Sequence, residues 1–268
     1  MSGSNGRVTD NSHCERSRRA VVVAGAASGI GLATTEALTR AGMSVVGLDL
    51  AELPSELGRA QDLHWVRGNI VSQEAWDRVL STLQDREPWD NVSLISCAAD
   101  LVVAPFLETT LEDWRRLYDI NVLGVIRGMQ TLMPAMLKRK QGSIAVVCSV
   151  NSLYAESALS AYSASKAALL QVVRSAALEY ARSGLRINAV CPGAVETPLF
   201  RRALAVLPDP VGARRAVERR TPTGKILQPS EVAAVLCFLI TDAASGLSGA
   251  AVTVDGGLTT AYDFDSST

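Results

Sequence analysis

Ala20-Val21-Val22-Val23-Ala24 runs without a break into Gly25-Ala26-Ala27-Ser28-Gly29-Ile30-Gly31. A short, wholly apolar run with β-branched residues suits a strand buried on both faces. After the glycines, Leu32 to Ala41 reads as a helix stopped by Gly42. Strand, glycine-rich turn and helix form a dinucleotide-binding unit. The glycines let backbone approach a pyrophosphate, and the helix N-terminus supplies positive charge to it. The spacing here is Gly-x-x-x-Gly-x-Gly rather than the commoner Gly-x-Gly-x-x-Gly.

Downstream of this unit, Ser44-Val45-Val46-Gly47-Leu48 is a second strand ending on Asp49. An acid at that strand end is placed to bind ribose hydroxyls and to repel a 2′-phosphate. Further strands are expected at 63–66, 92–97, 143–148, 186–190 and 251–254, with helices at 72–84, 112–139, 162–182 and 230–241. The alternation predicts an α/β fold: one Rossmann-like, doubly wound parallel sheet with helices on both faces. Pro229 is expected just before the cap of the last helix. Residues 1–17 read as a polar, disordered extension, 18–260 as the catalytic domain and 261–268 as a tail. The segment 196–228 holds four prolines and no strand pattern, so it is expected as an irregular substrate loop.

The second informative stretch is Tyr162-Ser163-Ala164-Ser165-Lys166, with Ser149 upstream at the end of an apolar run. Positions i and i+4 share a helix face, so the phenol and the ammonium can enter one site. A cation beside a phenol favours phenolate, so the tyrosine is expected to have a lowered pKa. Such a group exchanges a proton with an alcohol or ketone near neutral pH.

Taken in order, Gly25-x-x-x-Gly29-Ile30-Gly31, Asn121, Ser149, Tyr162-x-x-x-Lys166 and Pro192-Gly193 resemble the short-chain dehydrogenase/reductase family. The likeness runs from about Arg19 to the closing Val254-Asp255-Gly256-Gly257. It implies a nicotinamide cofactor, for which Asp49 predicts NAD, and four catalytic residues. Tyr162 is the general base in oxidation and the acid in reduction. Lys166 holds the nicotinamide ribose, Ser149 binds the substrate oxygen, and Asn121 supports a water-linked proton path. On spacing alone Asn121 is equally a polar residue inside helix 112–139. The same likeness assigns cofactor contacts to Ser28, Asn69, Ile70, Cys97, Ala98, Ala99, Val195 and Thr197. Three departures stand out. Ala24 occupies a position usually Thr, Ser96-Cys97-Ala98-Ala99 replaces Asn-Asn-Ala-Gly, and Asn69 replaces an Asp near adenine. None removes a catalytic group.

Composition narrows the function classes. With a formal net charge of −1, the chain has no global attraction to nucleic acid or to a membrane surface. Its five cysteines show neither metal-ligand spacing nor a secreted disulfide framework, and the two histidines suggest no zinc site. Arg16-Ser17-Arg18-Arg19 before the apolar run could pass for a signal sequence, but that run is too short. The expectation is a cytoplasmic protein with a small-molecule alcohol or ketone substrate.

Three functions compete at this stage. The first is an NAD-dependent secondary-alcohol dehydrogenase. The second is a carbonyl reductase of the 3-oxoacyl-carrier or polyketide type. The third is a non-catalytic NAD-binding regulatory protein, which would have no need of all four catalytic residues. Leu153, Tyr154, Leu159, Leu199 and Phe200 suggest an apolar substrate wall. Six arginines between Pro198 and Thr223, opposed by Asp209 and Glu218 alone, allow an anionic substrate. A solvated helix face is the plainer account of them, and an uncharged substrate is expected. Apolar and small residues on helices 112–139 and 162–182, with the family resemblance, imply a homotetramer.

Overall fold

The computed structural model describes residues 18–58, 62–86 and 88–260. The extension at 1–17 and the tail at 261–268 therefore lie outside the described residues. The opening apolar run forms β1 (Arg19–Ala24), which pairs in parallel with β2 (Ser44–Asp49) and β4 (Asn91–Ser96). With β3 (Leu63–Arg67), β5 (Gly142–Val147), β6 (Leu185–Pro192) and β7 (Ala251–Val254), the sheet order is β3-β2-β1-β4-β5-β6-β7. All of its pairings are parallel. The order reverses between β1 and β4, which opens a crevice at the carboxyl ends of the strands.

Strand side chains alternate between two cores. Val21, Val23, Val45 and Ile95 face α1 (Gly29–Arg40) and α8 (Pro229–Leu239) through Leu38 and Leu236. Val22, Val46 and Leu94 face α2 (Gln73–Gln84), α4 (Gly124–Arg139) and α5 (Ser160–Tyr180) through Trp76, Met129 and Leu169.

Three differences from the sequence reading have local causes. The long helix expected at 112–139 is α3 (Leu111–Tyr118), a π-helical turn Asp119–Leu123, and α4. Such turns often mark functional positions, and Asn121 sits inside this one. By length and composition Leu111–Arg139 could cross a membrane, but half of its most apolar stretch is buried within the domain. The segment 196–228 is not irregular. It contains α6 (Pro198–Ala205) and α7 (Pro210–Arg220). Pro198 and Pro210 start these helices at a position where a missing N–H costs nothing. Thr197 accepts from the Phe200 amide at 3.1 Å, and Asp209 accepts from the Gly212 amide at 2.9 Å, as N-caps. Pro229 likewise is the first residue of α8, with Gln228 as its cap rather than a later residue.

Candidate active site

One cavity of about 1440 Å³ lies along the carboxyl edge of the sheet. Gly25, Ser28, Gly29, Ile30, Asp49, Asn69 and Ile70 line one end. Cys97, Ala98, Ala99, Ser149, Tyr162, Lys166, Pro192, Gly193, Val195 and Thr197 line its middle. Two predicted residues stand just behind this surface. Gly31 is buried in the first turn of α1, and Asn121 is fully buried.

The glycine end is shaped by close backbone approach. Gly25 has φ +77°, and a Cβ there would lie 2.5 Å from the Ala98 amide nitrogen. At Gly31 a Cβ would lie 1.8 Å from the Gly25 carbonyl oxygen. Ser28 caps α1 with extended backbone but no side-chain hydrogen bond, which leaves first-turn amides facing the cavity. At the positions that depart from the family pattern, the Cys97 and Ala98 amides donate to the Ala24 carbonyl at 2.8 and 3.1 Å. Burial pushes the Cys97 thiol up to about 12, as suits a packing residue. Asp49 is fixed by the Ala27 and Ala51 amides, which donate to its two carboxylate oxygens at 2.9 and 3.0 Å. Its neighbour across the ladder, Arg67, is held by Glu52 at 2.7 Å. This cradle fits a dinucleotide.

The reactive groups come from three elements. Ser149 lies two residues beyond β5 and caps a short turn, its hydroxyl accepting from the Asn151 amide at 3.1 Å. Tyr162 and Lys166 lie one turn apart on α5. The Lys166 ammonium is buried, donates to the Val147 carbonyl at 2.8 Å and lies 5.8 Å from the Tyr162 ring centroid. Asn121 ties the site together. Its Nδ2 donates to the Asp100 carbonyl at 2.9 Å and to Ser165 Oγ at 3.0 Å, while its Oδ1 accepts from the Asp100 amide at 2.8 Å. Ser165 in turn donates to the Tyr162 carbonyl at 2.7 Å.

The expected lowering of the phenol pKa is not found in the protein alone. Burial pushes Tyr162 up to about 12, with Ser149 pulling it down by a hydrogen bond and Cys148 and Glu156 pushing it further up. Burial also lowers the Lys166 pKa, because it disfavours the ammonium. Desolvation dominates the phenol, and the Lys166 ammonium is directed at a carbonyl of β5 instead of at the phenol.

Tyr154, Leu159, Leu199 and Phe200 line the far end of the cavity, but Leu153 does not. Arg202 and Arg220, two of the six arginines singled out in the sequence, also line it, as do Asp100, Asn151 and Glu156, which sequence reasoning missed. The capping and N1-proline signals around Pro198 and Pro210 could have revealed α6 and α7, and with them the side chains they turn inward. Several of the arginines are engaged by acids. Arg201 and Arg214 pair with Glu196 at 3.0 and 2.7 Å. Arg202 reaches Asp100 at 3.5 Å and Arg220 reaches Glu156 at 3.8 Å.

A glycine-cradled dinucleotide cleft beside Ser149, Tyr162 and Lys166 defines a nicotinamide-dependent oxidoreductase. The sequence profile of a family described as enoyl-(acyl carrier protein) reductase matches residues 25–259. The chain is 37% identical over 250 residues to cis-4-hydroxycyclohexanecarboxylate dehydrogenase of Sinomonas cyclohexanicum, covering 90% of this chain and 96% of that protein. It is 31% identical to cyclopentanol dehydrogenase of a Comamonas strain, covering 95% and 99%. The crystal structure of levodione reductase superposes with a TM-score of 0.85 at 26% identity, over 92% and 99% of the two chains. The chain belongs to the short-chain dehydrogenase/reductase family, and it is an oxidoreductase acting on CH–OH groups with a nicotinamide dinucleotide.

Proposed function

We propose that this protein oxidises an apolar-bodied, cyclic secondary alcohol to its ketone with NAD, as a cytoplasmic homotetramer. The observation that carries the reading is one continuous cavity. It joins the Asp49 and glycine cradle to Ser149, Tyr162 and Lys166, and these to the apolar wall of Tyr154, Leu159, Leu199 and Phe200. Two of the similar proteins are named for cyclic alcohols.

Bound nicotinamide supplies the hydride acceptor in oxidation and the donor in reduction. Gly25, Gly29 and the first-turn amides of α1 would hold the pyrophosphate, and Asp49 the adenosine ribose. Ser149 donates to the substrate oxygen and stabilises the charge that develops there. Tyr162 takes the carbinol proton, or returns it in reduction. The phenol is neutral at pH 7 and can act as the acid toward a ketone, and its burial makes release of the proton in oxidation harder in the protein alone. Lys166 and the Ser149 hydrogen bond favour the phenolate that oxidation needs. Asn121 positions α5 through Ser165 and supports the proton path behind Lys166. Asp49 favours NAD over NADP, because Arg67, its neighbour across the ladder, is occupied by Glu52. Leu123 and Leu178, 49% and 81% exposed on the π-helical turn and α5, support a subunit interface there.

Turnover of cyclopentanol, cyclohexanol and acyclic secondary alcohols with NAD and with NADP tests the reading. Oxidation of the cyclic alcohols, faster with NAD, is expected. Cofactor binding without turnover of any alcohol would favour the regulatory reading instead.

A further inference from the structure

We propose that Arg202 makes this a dehydrogenase for alcohols that carry a carboxylate remote from the reacting carbinol. The inference rests on the dehydrogenase reading above and names its substrate class, in place of the uncharged alcohol expected from the sequence.

Of the six arginines in the lid formed by α6 and α7, between Pro198 and Thr223, Arg202 and Arg220 alone line the cavity. Arg201 and Arg214 are taken by Glu196, and Arg214 also contacts Glu218 at 3.2 Å. The two cavity arginines differ in what their release would leave behind. Asp100, the partner of Arg202, is already gripped by Arg116 through its other carboxylate oxygen. Arg116 is itself steadied by Asp113 at 3.2 Å. The Asp100 backbone is pinned on both sides by Asn121. Asp100 therefore keeps a cation and its place when Arg202 turns away. Glu156 is different. It accepts from Asn151 Nδ2 at 3.2 Å, and among the described residues Arg220 is the only cation in ion-pair contact with it. Releasing Arg220 would strand a carboxylate next to the reactive groups.

The hold on Arg202 is also weak. A single contact at 3.5 Å leaves most of the guanidinium fork unused. A substrate carboxylate can offer two parallel bonds at about 2.7–2.9 Å. Leu199, Phe200 and Ala203, neighbours of Arg202 on α6, line the same cavity, so a carboxylate at Arg202 would cap an apolar body. The Arg202 side chain is 69% exposed, so this recognition should weaken with salt.

The test compares cis-4-hydroxycyclohexanecarboxylate with its carboxamide, which has the same shape without the charge. kcat/KM with NAD is measured for the wild type, Arg202→Met, Arg202→Lys and Arg220→Met. The wild type should prefer the acid. Arg202→Met should lower the acid-to-amide ratio about tenfold, with Arg202→Lys between. Added salt should lower the ratio in the wild type more than in Arg202→Met. An unchanged ratio in Arg202→Met, or the larger loss in Arg220→Met, overturns the assignment. A wild type that oxidises cyclohexanol but not the acid overturns this inference and leaves the dehydrogenase reading standing. A wild type that oxidises no alcohol overturns both.

Discussion

At Gly31 an added methyl group would lie 1.8 Å from a backbone carbonyl, whereas at Gly224, where the lid ends, it would meet nothing within 4 Å. The two ends of the cavity are held by different physics. The cofactor end is set by backbone-to-backbone approach, which no side-chain adjustment can relieve. The lid end is set by caps and exposed ion pairs, such as Arg202 with Asp100 and Arg220 with Glu156. Exposed pairs contribute about 0–1 kcal/mol each. The cradle can therefore bind one kind of ligand, while the lid can change its side chains without changing the fold.

The largest contrast should appear in turnover. Lys166→Ala removes a buried cation and its hydrogen bond to the Val147 carbonyl, so alcohol oxidation should fall about a thousandfold and NADH affinity with it. Arg215→Ala, on the exposed side of the lid, should change turnover less than about twofold. Comparable losses in both would erase the distinction between the two ends.

Stability should divide along the same line. Gly31→Ala forces backbone apart and should cost about 3 kcal/mol or more. Gly224→Ala has room, and only its left-handed φ of +69° opposes a side chain, at about 1–2 kcal/mol. Urea midpoints of the two variants measure the gap, and equal midpoints would show that the cradle tolerates movement.

Cofactor choice sharpens the picture of the cradle itself. Asp49→Ala should shrink the NAD-to-NADP ratio of kcat/KM by about tenfold, by removing a charge that repels the 2′-phosphate. A wild type that uses NADP as well as NAD would contradict the assignment.

The smallest effect is one of pH. Tyr162 is raised from 10.0 to about 12 on folding, so the folded state favours the neutral phenol. Its contribution to stability is fully present below pH 10 and is lost as pH rises through about 12. Thermal melts across that window should show a steeper decline for the wild type than for Tyr162→Phe. Parallel declines would place the phenol in a solvated setting.

The division also explains what was legible in the sequence. All seven strands and the Gly25–Gly31 cradle could be read, because an apolar run and a glycine that admits no Cβ leave few alternatives. Ser149, Tyr162 and Lys166 were legible as side chains the topology must bring to one edge. The π-helical turn around Asn121 was not, since one extra residue per turn leaves the apolar periodicity nearly unchanged. The lid helices were hidden by their own prolines, which read as breakers until Thr197 and Asp209 are seen as caps. The tyrosine's acidity was misjudged because spacing shows a lysine nearby but not that it donates to Val147. Nor does spacing show which arginines acids from other segments would claim.

The measurement closest to the central claim separates cofactor binding from proton transfer in one preparation. NADH affinity by fluorescence and cyclohexanol oxidation are compared between the wild type and Tyr162→Phe. The account predicts an unchanged Kd and a loss of turnover of about a thousandfold. Near-normal oxidation by Tyr162→Phe would contradict it.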